Sequence, residues 1–464
     1  MVDFSGVEKT PSVNKAKIRI GDSKTEISGN WKSVNGLEIS EKSEFDRIWD
    51  LMQRPGLKKG AEKESVATLR QALAAVSDSS SVIVADIPKP KGAELGDVYE
   101  VSVEVSLDSG ETLTVAGTAA TMSLTAPSGW IAGDAHMHTD VGSDGWGMIY
   151  TVPKARSLGH KYMYLTDHVD MLLSGIGWNL YSTVAQNWSD SDLSLFPGLE
   201  VTLADGAGDC LGYGLPPTDD PDDPVLMTIV NRQDDAPTVI SKLHDIYGAA
   251  AAVAHPDGPG IKWIPKGTGY DAVQVVDGPG ESFWRASMSV YPYTCRPAAI
   301  GGSDFHAPLI NSIGAVTWVN AVPASNWLTR KSLVDYAIRE GRTCASSEGS
   351  FASLYLGTHA PGEDVSVPLG TTLTPKITVG AMYLPTYPNV TVSWRLYGDS
   401  TQIRSGSLSF SEGSYLRTIS PASVTISSSS KDAYSIVVDF EYRDVYGHIF
   451  LDTAYCGPIY IRGY

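Results

Sequence analysis

The feature that most constrains this chain begins near residue 130 and runs past residue 300: short apolar runs alternate with helix-patterned segments, and chelating side chains sit at the ends of the runs. "WIAGDAHMH" closes on His136 and His138, "YMYLTDH" on His168, "LFPGLEVT" carries Glu200, "AAAVAHP" carries His255, and "PAAIGGSDFH" closes on Asp304 and His306. Helical periodicity falls between them, near 148–159, 237–247 and 281–291. Strand alternating with helix over roughly two hundred residues predicts a parallel sheet or a β/α barrel. In β/α barrels the catalytic side chains gather at the C-terminal ends of the strands, where these residues fall.

The first run carries the clearest chemistry. Residues i and i+2 of a strand point to one face, so His136 and His138 present two imidazoles in one direction. An HxH pair alone is a common accident. Five strands delivering imidazoles and carboxylates to one rim are not, and mixed nitrogen and oxygen ligands suit Zn, Mn or Fe. A catalytic zinc takes about three protein ligands, so this many candidates predict two or three divalent ions, able to activate a water and stabilise an oxyanion. In "GDAHMHTDVGSDG" the chain runs from His138 into a loop that carries two aspartates, Asp140 and Asp144.

Taken in order, "DAHMHT…SDG", "LTDH", "GLEVT", "AHP" and "GSDFH" resemble the polymerase and histidinol phosphatase (PHP) superfamily. The resemblance implies a distorted (β/α)7 PHP-type barrel over residues 128–355, built around a trinuclear metal site. It also implies that His136, His138, Glu200 and Asp304 hold one ion, that Glu200 and His255 serve a second, and that Asp144, His168 and His306 hold a third. A bridging hydroxide is then the nucleophile, with Glu200, Asp304 and His306 as the catalytic side chains. The "W…GD.HMHT" opening, "YAIREGRTCASS" and the closing "TAYCGPIYIR" resemble a narrower branch that includes carbaryl hydrolase. Two positions depart from the pattern. "GDCLGYG" offers Asp209 or Cys210 where relatives often carry histidine, leaving the second ion's ligands open. "QVVDGPG" places Gln274 where an acid is common, which is expected to alter the surroundings of the ligands rather than the ligands.

The flanks differ in texture. Residues 1–127 are expected to form a small accessory α+β domain, with helices around Phe45 to Met52 and Val66 to Val76 and a hairpin in "VYEVSVEVSLDSGETLTV". Residues 356–464 alternate at Val390, Val392, Trp394 and Leu396 and again at Ile436, Val438 and Phe440, which predicts a C-terminal β-sandwich.

Other polar residues carry plainer expectations. Asp134 is expected to orient its neighbours, and Asp167 either does the same or takes a catalytic role. Lys262, Arg285 and Arg296 are solvated. His160 and His244 are structural, and His359 and His448 lie on the surface. With 35 basic and 53 acidic residues the net charge of −18 repels polyanions, so no nucleic-acid polymer is expected as partner. A small-molecule substrate fits. No apolar stretch is long enough to span a membrane. The four cysteines form no CxxC motif, and MVDFSGVEKT lacks the basic and apolar regions of a signal peptide. The Ser-, Thr- and Tyr-rich composition inclines towards an extracytoplasmic setting, with the cytoplasm as alternative. The function expected is a metal-dependent hydrolase cleaving phosphoesters; the alternatives are a carbamate or carboxylic ester hydrolase on the same site and a non-catalytic binding protein with a metal-stabilised barrel.

Overall fold

The computed structural model describes residues 128–464, except 144, 146, 175, 205–207, 218–233, 257–268, 277–279, 291–296, 307–314, 322–325, 383–388, 411–414 and 444–448, together with the backbone of several strands before residue 121. The chain divides into two compact units. One comprises Met1–Met122 with Gly147–Pro153, the other Ser123–Trp146 with Lys154–Tyr464.

In the first unit Val98–Leu107 and Thr112–Ala120 pair antiparallel, with Val103 opposite Val115. This is the hairpin read from the alternating valines. It extends through Val13–Ile20 to Ser23–Ile27 as a four-stranded sheet. The two helices expected around Phe45 to Met52 and Val66 to Val76 lie outside the described residues.

The second unit carries every described site residue. Its early strands are β1 (Trp130–Met137), β2 (Tyr162–Leu165), β3 (Ser194–Pro197), β4 (Leu199–Thr202), β5 (Asp209–Tyr213), β6 (Ala250–Val253), β7 (Ala272–Gln274), β8 (Ala298–Ile300), β9 (Val316–Asn320) and β10 (Thr343–Ser346). There follow β11 (Phe351–Leu356), β12 (Asp364–Val367), β13 (Thr372–Leu373), β14 (Pro375–Gly380), β15 (Asn389–Gly398), β16 (Thr401–Phe410), β17 (Leu416–Ile419), β18 (Val424–Thr425), β19 (Lys431–Arg443) and β20 (Ile449–Gly463). One sheet runs β3-β2-β1-β9-β10-β20-β19-β15-β16, with β12 also on β20; a second runs β4-β5-β6-β7-β8.

The distorted (β/α)7 barrel expected over 128–355 is not formed. Strand makes up 46% of the structure and helix 22%, an excess that a barrel with a helix after every strand does not have. The strands belong to large mixed and antiparallel sheets, and among the described residues no closed barrel is formed. Pairing is parallel at β3-β2-β1 and β6-β7-β8. It is antiparallel at β4-β5-β6 and β1-β9-β10. The local cause is visible between β4 and β5, where Leu203 N–H donates to the Gly208 carbonyl at 2.9 Å. That turn is too short for the crossover a parallel pair requires. Nor does the first sheet stop near residue 355. β10 pairs with β20, placing Cys344 opposite Cys456, so 128–355 shares a sheet with the C-terminal segment.

The apolar core beside the site matches large residues with small ones. Tyr162, Tyr164 and Phe196 pack with Ala250, Ala252, Ala272 and Ala298, and Tyr164 meets Tyr213 with ring centroids 4.7 Å apart. Their hydroxyls are satisfied: Tyr162 donates to the Thr317 carbonyl at 2.7 Å and Tyr213 to the Ala135 carbonyl at 2.8 Å. Burying rings with satisfied hydroxyls stabilises the sheets without an unpaired polar group. A second core gathers Trp130, Phe351, Leu354, Ile377, Val392, Ile436 and Val438. Among the described residues no helix is long and apolar enough to cross a membrane.

Candidate metal centre

Period-two alternation positions the first ligands. Ala135, between Asp134 and His136, joins the aromatic core, and so the imidazoles of His136 and His138 turn away from it. The chain after β8 is fastened to the end of β1: Asp304 N–H donates to the His136 carbonyl at 2.8 Å, and His138 N–H to the Phe305 carbonyl at 3.1 Å. The approach is close. A Cβ on Gly302 would lie 2.3 Å from the His136 Cβ, so only glycine fits there. Backbone strain marks the same place: of three described non-glycine residues with positive φ, two are His255 at 24° and Asp304 at 49°. Such conformations persist where their surroundings over-determine them, commonly at functional sites.

Four side chains meet at the first position. His136 Nε2 lies 3.2 Å from His138 Nε2, 3.2 Å from Asp304 Oδ1 and 3.5 Å from Glu200 Oε1. His138 Nε2 lies 3.0 Å from Asp304 Oδ1 and 3.1 Å from Glu200 Oε2. A tetrahedral ion with bonds of about 2.0–2.1 Å has ligand–ligand edges of about 3.3–3.4 Å, which these distances bracket. The tautomers agree. His136 Nδ1 contacts Gln274 Oε1 at 2.9 Å. His138 Nδ1 lies 3.1 Å from Ser143 Oγ, and that hydroxyl donates onward to Asp167 at 2.6 Å, so it accepts from the ring. The two Nε2 atoms face each other, and once they give up their protons each offers a lone pair to a cation between them.

The electrostatics run the same way. Burial disfavours charge on His136, yet Asp304 and Glu200 carry it up to about 9; on His138 burial is likewise outweighed by Asp304 and Glu200, which carry it up to about 10. Burial would raise Glu200 and Asp304, but the histidines hold both carboxyls well below the usual range. Any cation placed among them meets the same attraction.

Glu200 joins this group to two others. Its Oε1 lies 3.1 Å from His255 Nε2, and its Oε2 lies 3.2 Å from His168 Nδ1. Glu200, Asp209 and His255 form a second cluster of potential ligands, with His255 Nε2 3.8 Å from Asp209 Oδ2. The choice left open between Asp209 and Cys210 resolves by alternation. Asp209 faces the cluster, whereas Cys210 is fully buried and burial pushes its thiol well up. His138, His168 and His306 form a third cluster, with His306 Nδ1 2.8 Å from the Asp304 carbonyl oxygen. Asp144, expected to complete that set, lies outside the described residues. The remaining expected ligands, His136, His138, His168, Glu200, His255, Asp304 and His306, are thus brought together.

Two carboxylates beside the ligands act as fasteners. Asp134 accepts from His136 N–H at 3.0 Å, Ser303 N–H at 3.1 Å and Ser303 Oγ at 2.5 Å, tying β1 to the loop that carries Asp304. Burial raises it to about 6 in spite of these bonds. Asp167 accepts from Thr139 N–H and Oγ1, both at 2.6 Å, and from Ser143, fixing the turn after His138. Sequence reasoning missed Thr139, Ser143 and Ser303; the signal was a hydroxyl residue placed next to, or one turn beyond, a proposed ligand.

The other singled-out residues lie elsewhere. His160 is buried with Nδ1 unpaired, and burial lowers it to about 4. His244 meets Asp271 at 2.7 Å, His359 meets Glu363 at 3.4 Å, and Arg285 lies over the Tyr397 ring. Asp140 is half-buried in the turn after His138. Lys262, Arg296 and His448 lie outside the described residues. No family model matches the chain, and no curated protein matches it.

Proposed function

We propose that the chain is a metal-dependent hydrolase of the PHP superfamily that cleaves phosphoesters. The observation that carries this reading is the first cluster: two imidazole Nε2 atoms and two carboxylates at 3.0–3.5 Å spacing, with both Nδ1 atoms engaged elsewhere. The order of motifs along the chain supports the superfamily assignment, although its strands do not close a barrel. His136, His138, Glu200 and Asp304 would hold one ion, and Glu200, His255 and Asp209 a second. His168 and His306 would serve a third with Asp144. When bound, such ions supply a water of lowered pKa and positive charge for a developing oxyanion. Glu200, within reach of His136, His138, His168 and His255, would be shared between neighbouring ions. Asp304, about 29% exposed against 0% and 1% for His138 and Glu200, stands on the open side, where substrate arrives.

One observation favours a second reading, cleavage of a carbamate or carboxylic ester. Among the described residues the ion pairs of Glu200 and Asp209 are all with histidines, and a phosphate dianion usually draws on arginine or lysine besides the metals. A panel of chromogenic phosphomonoesters, phosphodiesters, carboxyl esters and carbamates, run with Mn, Zn and Fe, separates the two. Metal-dependent turnover of phosphoesters is expected. Turnover of the neutral esters alone would replace the first reading with the second, and a metal-loaded protein inert to the whole panel would return the binding-protein alternative.

A further inference from the structure

Gln274 ends β7 fully buried, and it touches three of the segments that carry ligands. Its Oε1 lies 2.9 Å from His136 Nδ1 and 3.3 Å from the His255 backbone nitrogen, while its Nε2 donates to the Gly302 carbonyl at 2.9 Å. The Gly302 contact fixes the direction of the amide. Turned over, the amide would set two oxygens against each other at Gly302 and two N–H groups against each other at His255. With Oε1 facing His136, the imidazole must donate through Nδ1–H, and the Nε2 lone pair is left for an ion.

We propose that Gln274 is a positioning residue that sets the affinity of the first ion site by holding His136 in its Nδ1–H tautomer. The proposal rests on the metal reading above. A ring nitrogen engaged by a buried acceptor is a common device for orienting a metal-ligating histidine, and loss of such a partner costs about 10–100-fold in metal affinity. Here the acceptor is neutral, and an amide alone can serve both neighbours: a carboxylate would accept from His136 but could not donate to Gly302.

That difference gives a test separating the tautomer role from a mere tie between loops. Zinc affinity is measured by competition with a chromophoric chelator on the chelator-stripped full-length chain, for wild type, Gln274→Met and Gln274→Glu. The absorption spectrum of each Co-loaded protein is recorded alongside. Gln274→Met fills the same space without an acceptor and should weaken the tightest site about 10–100-fold. Gln274→Glu keeps the acceptor and loses the donor, and should stay within about threefold of wild type or bind tighter, with the wild-type Co spectrum. Wild-type affinity in Gln274→Met, or an equal fall in both variants, overturns the proposal. Should Gln274→Met fail to fold, Gln274→Glu decides alone, and a loss beyond about tenfold refutes the tautomer role. If wild type itself binds no divalent ion, the metal reading fails rather than this inference.

Discussion

The first and second ligand groups differ in how firmly the fold holds them. Around His136 and His138 the separations are 3.0–3.5 Å, both rings are fully buried, and Gln274 and Ser143 engage both Nδ1 atoms. Around His255 the separation to Asp209 opens to 3.8 Å, and these two side chains are 22% and 18% exposed. The first group is clamped by two carboxylates, Asp134 and Asp167, that bind hydroxyls and backbone N–H groups rather than ligands. A site is as tight as the atoms behind its ligands. The ion among His136, His138, Glu200 and Asp304 should therefore bind more strongly than the one at His255.

The largest expected effect comes from the residue common to both groups. Glu200→Gln should lose both ions and all turnover, because each carboxylate oxygen serves a different pair of histidines. Metal analysis of the purified variant checks it, and two ions retained at wild-type affinity would sink the bridging role. Next come His136→Ala and Asp304→Asn, which should abolish turnover while leaving the His255 ion in place and the melting temperature little changed. Activity retained in both would remove the proposed site. Asp209→Asn is a smaller step: about tenfold weaker binding at the second ion and none at the first. Anomalous diffraction at the metal edge sharpens the same comparison, with the His255 peak the weaker. A single ion, with His306 turned away from any metal, would end the multinuclear mechanism. Cys210→Ala should leave both ions untouched, since its thiol faces the core.

The contrast also marks how far the sequence could be read. Ligands were legible because strand ends place polar residues outside an apolar run, and His136, His168, Glu200, His255 and Asp304 each follow or interrupt such a run. Helices were legible where caps and periodicity agree, as at Ala236–Tyr247, which Asp235 caps by accepting from Thr238 N–H. Sheet partition was not. An apolar run looks the same whether its neighbour lies parallel or antiparallel, and the alternation of strand and helix hid the tight turn between Thr202 and Asp209. Cys210 and Asp209 could have been told apart: pairing of β4 with β5 sets Thr202 opposite Asp209 and Val201 opposite Cys210, on opposite faces. Gln274 stood out only against the family pattern, and Thr139 and Ser303 were missed, because a side chain that acts through another residue shows in the sequence only as a polar neighbour of a ligand.

The smallest expected effect on function, and none on the ions, belongs to His160. It is as buried as His136, but among the described residues no carboxylate answers its ring. Burial alone lowers it to about 4, where Asp304 and Glu200 lift His136 to about 9. Charge on a histidine here is thus decided by its partners and not by depth. The sign of the linkage follows. The unfolded chain binds a proton at His160 below about 6.5, whereas the folded chain refuses it until about 4, so stability from this group is complete above 6.5 and is lost as pH falls between those values. From pH 7 to pH 5 the loss should be about 2 kcal/mol, from about 1.4 kcal/mol per pH unit below the unfolded value. His160→Phe cannot take up the proton. Denaturant melts of the metal-loaded proteins should show wild type losing that much more stability than His160→Phe over the interval, with equal metal content and turnover at pH 7. Parallel pH profiles would mean that the His160 ring is solvated or paired in solution, and a fall in metal content would tie it to the site from which the fold separates it.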